Sequence, residues 1–440
     1  MASFANQVNI NNIKLISNRI RIPIDIKNLT QQINIFENIN STFLTGAMTL
    51  FDDNNMFEDL QLSGTEKIEF SFSSDKGPIL RKTFIVTSIN SEKNNDNTSL
   101  LYMELIEDHG YEDGLINFSK SYTGTGEIIV EKILNDKLNK GLFPSVRNVS
   151  AQPFFKYLVP YISPLQAASM ITKKMTTEDG YPFFLYSTLF SDQLVLKDFK
   201  SMVTTDPFNS TTPFIFSQAG NTSNDPVAQL FNLDTFSHTT NEDTLSMAQV
   251  GALATELNHI SATTLQEYNT RMIIPNILSS HEDVFDVTKK SPLVDATFVP
   301  SNDETKSLFS YTSNVFNSLE METYRDASNY SQSGTLEQSR LRAIRRGVIA
   351  FIARNTYVMT GPGGIFTSGA MGTTVGNQVT INVQRNEFAQ INSTGSSHLD
   401  EKRSGNFVMI SKKYMFDVVD ETMGFTMECS RIFNNKKKNK

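Results

Sequence analysis

The segment Lys67-Ile68-Glu69-Phe70-Ser71-Phe72 alternates polar and apolar residues without interruption. A helix cannot keep a period of two on one face, whereas a half-buried strand requires it. The signature recurs in two blocks. One block contains FLTGAMTLFDD (Met48 and Leu50 on one face), KTFIVTSI and LLYMELIE; the other, after residue 347, contains VIAFIARNTYVM, NQVTINV, NFVMISKKYMFDV and GFTMECSRIF. Short strands separated by turn signals predict a small antiparallel barrel or sandwich in each block. The blocks also share a pattern. Strands at 82–89 and 100–107 are joined by the polar stretch 90–99, read as a hairpin connection, and strands at 406–418 and 424–433 are paired in the same way.

Between the blocks the period changes. TGEIIVEKILNDKLNKG carries Ile129, Val130, Ile133, Leu134 and Leu138 at helical spacing, with Gly141 as its stop. A second helix opens at SPLQAASMITKKM, where Ser163 suits the N-cap, Pro164 the first turn and Gln166 a capping box. YPFFLYSTLFSDQLVLKDF reads as two strands about a turn near Ser191-Asp192. Residues 201–345 are polar and rich in Ser, Thr and Asn. A helix is expected over 243–258, and another over SGTLEQSRLRAIRRG, with Thr335 and Gln338 as its capping box and Gly347 as its stop. The fold class is mixed β and α+β.

With 440 residues, more than one core is expected. Cys429 is the sole cysteine, so neither a disulfide framework nor a cysteine zinc site is available, and the fold must hold by burial. The opening MASFANQVNINNIKL lacks a basic stretch followed by an apolar core, so no secretory signal is expected. No apolar run approaches the length of a membrane span. A net charge of −8 argues against the whole body binding nucleic acid.

Six glycines crowd into TGPGGIFTSGAMGTTVGNQVTINV: Gly361, Gly363, Gly364, Gly369, Gly372 and Gly376. A phosphate loop would run into a helix N-terminus, and a P-loop would follow its last glycine with Lys-Ser or Lys-Thr. Here Asn377-Gln378 follow, then the alternating strand Val379-Thr380-Ile381-Asn382-Val383. The glycines read as turn chemistry.

Other candidates favour structural roles. His109, His238, His259, His281 and His398 are scattered, with no metal-ligand spacing. The adjacent acids Asp52-Asp53 and Glu107-Asp108 stand at strand ends, where acids commonly serve turns. Arg340, Arg342, Arg345 and Arg346 cluster around a helix end, where cations suit the dipole, and Lys436-Lys437-Lys438 belong to a solvated tail. No catalytic residue, cofactor site or metal site is assigned.

FLTGAMTLFDDNNMFEDLQLSGTEKIEFSF resembles the first barrel of the baseplate central hub proteins of contractile-tailed phages, a family related to the N-terminal hub part of type VI secretion spike proteins. The matching positions are Thr45-Gly46, Asp52, Gly64 and Glu66. ISPLQAASMITKKMTTEDGYPFFLYSTLFSDQLVLKDFKSM is similar to the family's next segment. VGNQVTINVQ, DEKRSGNFVMISKKYMFD and GFTMECSRI resemble its closing strands, with Ser404-Gly405 as the recurrent pair. The resemblance spans most of the chain in order, with a gap at roughly 205–345.

It implies two tube-type antiparallel β-barrels, at 1–112 and 346–434. An α/β domain would lie at 113–200, an irregular and partly helical insertion at 201–345 contributing in part to the second barrel, and a basic tail at 435–440. It further implies a non-enzymatic homotrimer in the virion tail baseplate, assembled in the host cytoplasm. The spike protein would lie below, the tail tube or tube-initiator proteins above, and a tape-measure protein is a further candidate partner. Three copies of two barrels would adapt a sixfold tube to a threefold spike around a channel that passes the genome without specific binding. The run Gly361–Gly376 exceeds the family's usual link, so an extended, protruding loop is expected there. The rival classes are a hydrolase, which needs a convergent acid pair or triad, and a monomeric binding module.

Overall fold

The computed structural model describes residues 6–217, 229–240 and 355–431, apart from gaps at 18, 20–21, 53–55, 74–76, 96–97, 144–154, 178–180, 385–398 and 401–402, together with strands at 267–276, 281–290 and 312–315. The helices expected over 243–258 and in 333–347, the Arg340–Arg346 cluster, His259, His398 and the lysine tail lie outside the described residues.

The first block forms β1 (Asn9–Ile16), β2 (Ile24–Asp25), β3 (Thr30–Asn38), β4 (Thr45–Asp52), β5 (Lys67–Ser73), β6 (Leu80–Asn95) and β7 (Thr98–Glu107), with the short α1 (Met56–Asp59) between β4 and β5. The stretch 90–99 differs from the expected loop. Asn95 pairs with Thr98, so nearly all of it belongs to an extended β6–β7 ribbon. Its polarity marks strands with solvent on both faces rather than a loop.

A second unit follows: α2 (Asp108–Leu115), β8 (Phe118–Gly124), α3 (Gly126–Leu138), β9 (Phe155–Ile162), α4 (Pro164–Thr172), β10 (Phe183–Thr188), β11 (Ser191–Asp198) and α5 (Phe199–Thr204). The helical stripe Ile129, Val130, Ile133, Leu134 and Leu138 is fully inward and packs with Leu165, Ala168, Leu185 and Leu196 in a core of its own. Two caps differ from expectation. Asn139, in the left-handed conformation at φ 50°, ends α3 before Gly141. Ser163 occupies the N-cap of α4, but its hydroxyl donates to Asp113 Oδ2 at 2.8 Å, and Asp113 Oδ1 accepts the Leu165 N–H at 2.6 Å. The cap is supplied by α2, across space, instead of by a local box with Gln166.

The remaining strands are β12 (Phe214–Phe216), β13 (Thr235–Thr240), β14 (Glu267–Asn276), β15 (His281–Lys290), β16 (Thr312–Val315), β17 (Asn355–Pro362), β18 (Gln378–Val383), β19 (Gly405–Asp417) and β20 (Thr422–Arg431). The described residues are mostly antiparallel sheet with few helices. Both β-blocks belong to one sheet, in the order β13-β17-β20-β19-β3-β4-β7-β6-β5-β1-β2, with β18 and then β12 attached at β19. They join where β19 pairs with β3, Lys413 opposite Phe36 and Asp417 opposite Gln32. Near the N-terminus, Gln7 bridges Thr422, so the approach to β1 returns to β20.

Two separate barrels were expected; the described residues form one open sheet over one continuous hydrophobic core. Phe416 of β19 packs on Phe70 and Phe72 of β5 at centroid distances of 4.9 and 4.8 Å. The two blocks are continuous through the β19–β3 seam.

Candidate functional site at the junction of the two cores

The glycine-rich segment between β17 and β18 does not protrude. Apart from the exposed Ser368, Ala370 and Gly372, it packs into the interior, where it meets both β-blocks and the second unit. Phe366, Thr367, Thr373, Thr374 and Val375 are all buried. Phe366 enters a cluster formed by Phe208, Phe214, Phe425 and Tyr414, and burying a side chain of this size contributes about 1.5–3 kcal/mol. At Gly376, φ is +75° and a Cβ would lie 2.3 Å from the Tyr186 hydroxyl. Glycine is required there by both conformation and close approach. The expectation of a long exposed loop fails because apolar residues interleave the glycines, and Phe366 and Val375 fill the core.

Buried polar groups tie this segment down from three sides. From β3, Glu37 accepts the Val375 N–H at 3.0 Å and the Tyr414 hydroxyl at 2.7 Å. From β19, Lys412 donates to the Thr373 carbonyl and stands 3.5 Å from the Phe366 ring centroid. From β11, Lys197 donates to Gly376 O at 3.0 Å and Asn377 Oδ1 at 2.9 Å. Burial pulls the Lys412 ammonium down to about 7, against the opposing charge of Glu37. It pulls Lys197 down to about 8, against Asp198. Burial also pushes the Glu37 carboxyl up, despite Lys412 and its hydrogen bonds.

A second buried group fastens the β10–β11 hairpin to the sheet. Lys82 donates to Glu107 Oε1 at 2.6 Å and to Ser191 O at 2.7 Å. Glu107 Oε2 accepts from the Ser187 hydroxyl at 2.6 Å and the Leu44 N–H at 2.9 Å. His109 Nε2 bonds Thr42 O at 2.9 Å, which makes Nε2 the protonated nitrogen, since a carbonyl only accepts. Burial would raise the Glu107 carboxyl, but Lys82 and His109 outweigh it and hold it below its usual value.

Serine, histidine, glutamate and lysine together suggest acyl-transfer chemistry. The geometry denies it. The Ser187 hydroxyl is held by the carboxylate instead of a base, and Ser187, Glu107 and Lys82 are each no more than 4% exposed, His109 not at all. Donor atoms of Glu107, Asp108 and His109 lie within 4.8 Å of one another. Two ammonium groups already occupy the carboxylates: Lys82 on Glu107, and Lys140 Nζ 3.6 Å from Asp108 Oδ1. A divalent cation would face both. Glu107 was read from sequence as an acid serving a turn; it is the centre of an interior ion pair. The cue was the apolar alternation of β7, which places Glu107 on the same inward face as Met103 and Leu105.

The seven signature residues do not converge on one site. Thr45 is exposed, and Gly46 is buried where Asn34 O would lie 2.9 Å from a Cβ. Asp52 is buried at the end of β4. Gly64 adopts φ +83°, and the buried Glu66 carboxylate accepts the N–H groups of Ser63, Gly64 and Thr65 at 2.9–3.0 Å. Burial would raise Glu66, but these bonds win and lower it. In the other block, the Ser404 hydroxyl accepts the Val383 N–H at 2.8 Å, and Gly405 enters β19 at φ +141°. All seven shape strand ends and turns. Cys429 is fully buried, its thiol held well above its usual range by that burial.

No family model matches the sequence, and no curated protein matches it. Solved structures do. The 43 kDa tail protein of prophage MuSo2 from Shewanella oneidensis aligns over 96% of this chain and 98% of its own, at 9% identity and a TM-score of 0.53. A tail protein from Neisseria meningitidis MC58 aligns over 96% and 98%, at 12% identity and 0.49. The E. coli c3393 protein, described as a component of the type VI secretion system with structural similarity to T4 tail proteins gp27 and gp5, aligns over 95% and 76%, at 9% identity and 0.44. These neighbours are two tail proteins and a type VI secretion component, and the chain shares the fold of the Shewanella tail protein.

Proposed function

We propose that this chain is a structural hub of a contractile phage tail, a trimeric ring in the baseplate between the sixfold tail tube and the threefold spike. The observation that carries the reading is the shared fold with the Shewanella prophage tail protein over nearly the whole of both chains. The ordered motif resemblance from Thr45-Gly46 to Ser404-Gly405 supports it, as does the sealed state of the Ser187, Glu107, His109 and Lys82 constellation. In this reading residues 1–112 and 346–434 form the ring, 113–200 brace it, and the spike and tube proteins bind its two faces. The chain acts in the virion tail after assembly in the host cytoplasm, has no catalytic activity, and the genome passes through its centre.

Sedimentation of the purified chain tests this reading. A trimer of 3 × 49.4 kDa sediments near 148 kDa. A chain that remains monomeric at micromolar concentration, with or without its spike, is not a hub and favours the binding-module reading.

A further inference from the structure

Residues 371–377 form a unit closed on itself. The Asn377 amide donates to Met371 O at 2.9 Å and to Thr374 O at 3.1 Å, and the Thr373 and Thr374 hydroxyls each bond the carbonyl three residues back at 2.7 Å. The unit's main chain meets the sheet at Met409, whose carbonyl accepts the Gly376 N–H at 2.8 Å and whose N–H donates to Asn377 O at 3.0 Å. Further ties are buried side chains from three strands: Glu37 of β3, Lys412 of β19 and Lys197 of β11.

The two lysines are poorly served as ammonium ions. An ammonium carries three N–H donors and accepts nothing. Among the described residues, Lys412 donates to the Thr373 carbonyl, and Lys197 to the Gly376 carbonyl and the Asn377 amide oxygen. One donor of the first and two of the second are matched, and every one of these acceptors lies on the segment itself. A neutral amine has fewer donors to place, so the closed segment suits it better. Burial acts in the same direction, drawing Lys412 down to about 7 and Lys197 to about 8. Glu37 and the Phe366 ring face oppose it at Lys412, and Asp198 opposes it at Lys197. The segment has no titratable residue of its own. Tyr186, Tyr414 and Cys429 beside it are pushed well above their usual ranges by burial and keep their protons.

We propose that residues 371–377 are a proton-coupled plug, which opens by taking up protons at Lys412 and Lys197 and closes by releasing them. When the segment lifts, both amines lose their acceptors and meet water, where the ammonium is the stable form. Between the folded and the ordinary lysine values the open form therefore holds more protons than the closed one, and rising pH favours closure. Glu37 acts in the opposite sense. Burial raises its carboxyl, so it gives up a proton on opening. Lys197, whose charged neighbour is Asp198, reports the coupling apart from Glu37. The closed plug ties both β-blocks to the second unit, so mild acid loosens that junction. The inference does not depend on the hub reading.

Hydrogen exchange of the full chain from pH 7 to 9 tests the plug, under conditions where closing outpaces exchange and with the intrinsic pH dependence of amide exchange removed. The reporters are the Val375 and Gly376 amides, bonded to Glu37 and to Met409 O, and the β1–β5 ladder measures global unfolding. Protection of the reporters should lie below that of the ladder and rise by at least about tenfold over this range. Lys197→Met and Lys412→Met should each flatten the rise, and the double variant should abolish it. Protection that stays level or falls with pH in the unmodified chain overturns the plug. So does exchange of the reporters in step with the ladder, since the segment then leaves only when the whole protein unfolds. These two readings need no variant and decide the matter even where a Met substitution prevents folding. A rise that persists in a folded double variant overturns the assignment to the lysines.

Discussion

The Nζ of Lys412 lies 3.5 Å from the centre of the Phe366 ring, and both side chains are completely buried. A desolvated cation on an aromatic face gains more than an exposed one. Here the cation also binds the Thr373 carbonyl of the segment that delivers the ring. Replacing Phe366→Ala removes the ring from its aromatic cluster and the face from Lys412. The expected loss is about 3–5 kcal/mol, read as a lower urea midpoint with unchanged slope. A loss below about 1 kcal/mol shows that the segment is not held by its aromatic plug.

Gly376→Ala should cost stability for two separable reasons, the positive φ and the Tyr186 hydroxyl in the place of its Cβ. Tyr186→Phe in the Gly376→Ala background removes the oxygen and leaves the backbone strain together with the ring carbon Cζ, 2.9 Å from the added Cβ. Partial recovery of the urea midpoint is expected. No recovery assigns the cost to the backbone and the ring carbon rather than to the hydroxyl.

The Lys82–Glu107 pair is sealed from water, so removing one partner strands a charge. Lys82→Met alone should cost about 3–5 kcal/mol. Adding Glu107→Gln to that variant should cost less than it does in the unmodified chain, because the stranded carboxylate is removed. A double-mutant cycle with zero coupling would refute the pairing.

Acid should unfold the protein through the carboxyls that the fold holds low. Glu107, Glu66 and Asp108 all titrate below their ordinary values when folded. The unfolded chain therefore takes up protons first, so their stabilisation is complete above the ordinary carboxylate range and is lost as pH falls through the folded values. Glu37, raised by burial, acts in the opposite sense and blunts the effect. Urea midpoints should fall steeply below about pH 4.5, and Glu107→Gln should flatten that decline. An unchanged acid limb in this variant assigns the sensitivity elsewhere.

The strands were legible where one face is core and the other solvent. Ile68, Phe70 and Phe72 alternate with Lys67, Glu69 and Ser71, and the structure places them in β5 as the period requires. The helix of Ile129 to Leu138 was legible for the same reason. Three things were not. The β19–β3 seam joins residues more than 370 positions apart, and no local period encodes which edges meet. The cap of α4 comes from Asp113 on another helix, which a local capping pattern cannot anticipate. The Gly361–Gly376 segment has the composition of an exposed turn, and only tertiary contacts at Phe366 and Val375 reveal it as interior. Of the candidate site, Glu107 was singled out as an acid, but its partners Lys82, Ser187 and His109 converge only through the sheet.

The channel of the proposed ring should pass nucleic acid without gripping it. A conduit that neutralised phosphates would acquire salt-sensitive affinity with every contact. Three chains carry 3 × −8 = −24, which repels DNA on average. The distribution of charge matters more than the average, and cross-strand rows of the sheet supply it. One row runs Lys413, Phe36, Thr45, Ile106, Ile85 and Lys67. The next runs Met415, Asn34, Ala47, Glu104 and Ser88, and the third Asp417, Gln32, Thr49, Tyr102 and Asn90. Basic positions are confined to the first row, and acids stand in the other two, so these rows form no continuous basic stripe. Incubation with duplex DNA at low salt, where electrostatic binding is strongest, should give no complex at micromolar protein. Binding at micromolar concentration or tighter that disappears in Arg342→Ala/Arg345→Ala would overturn the non-adhesive channel and make the arginine cluster a nucleic-acid site.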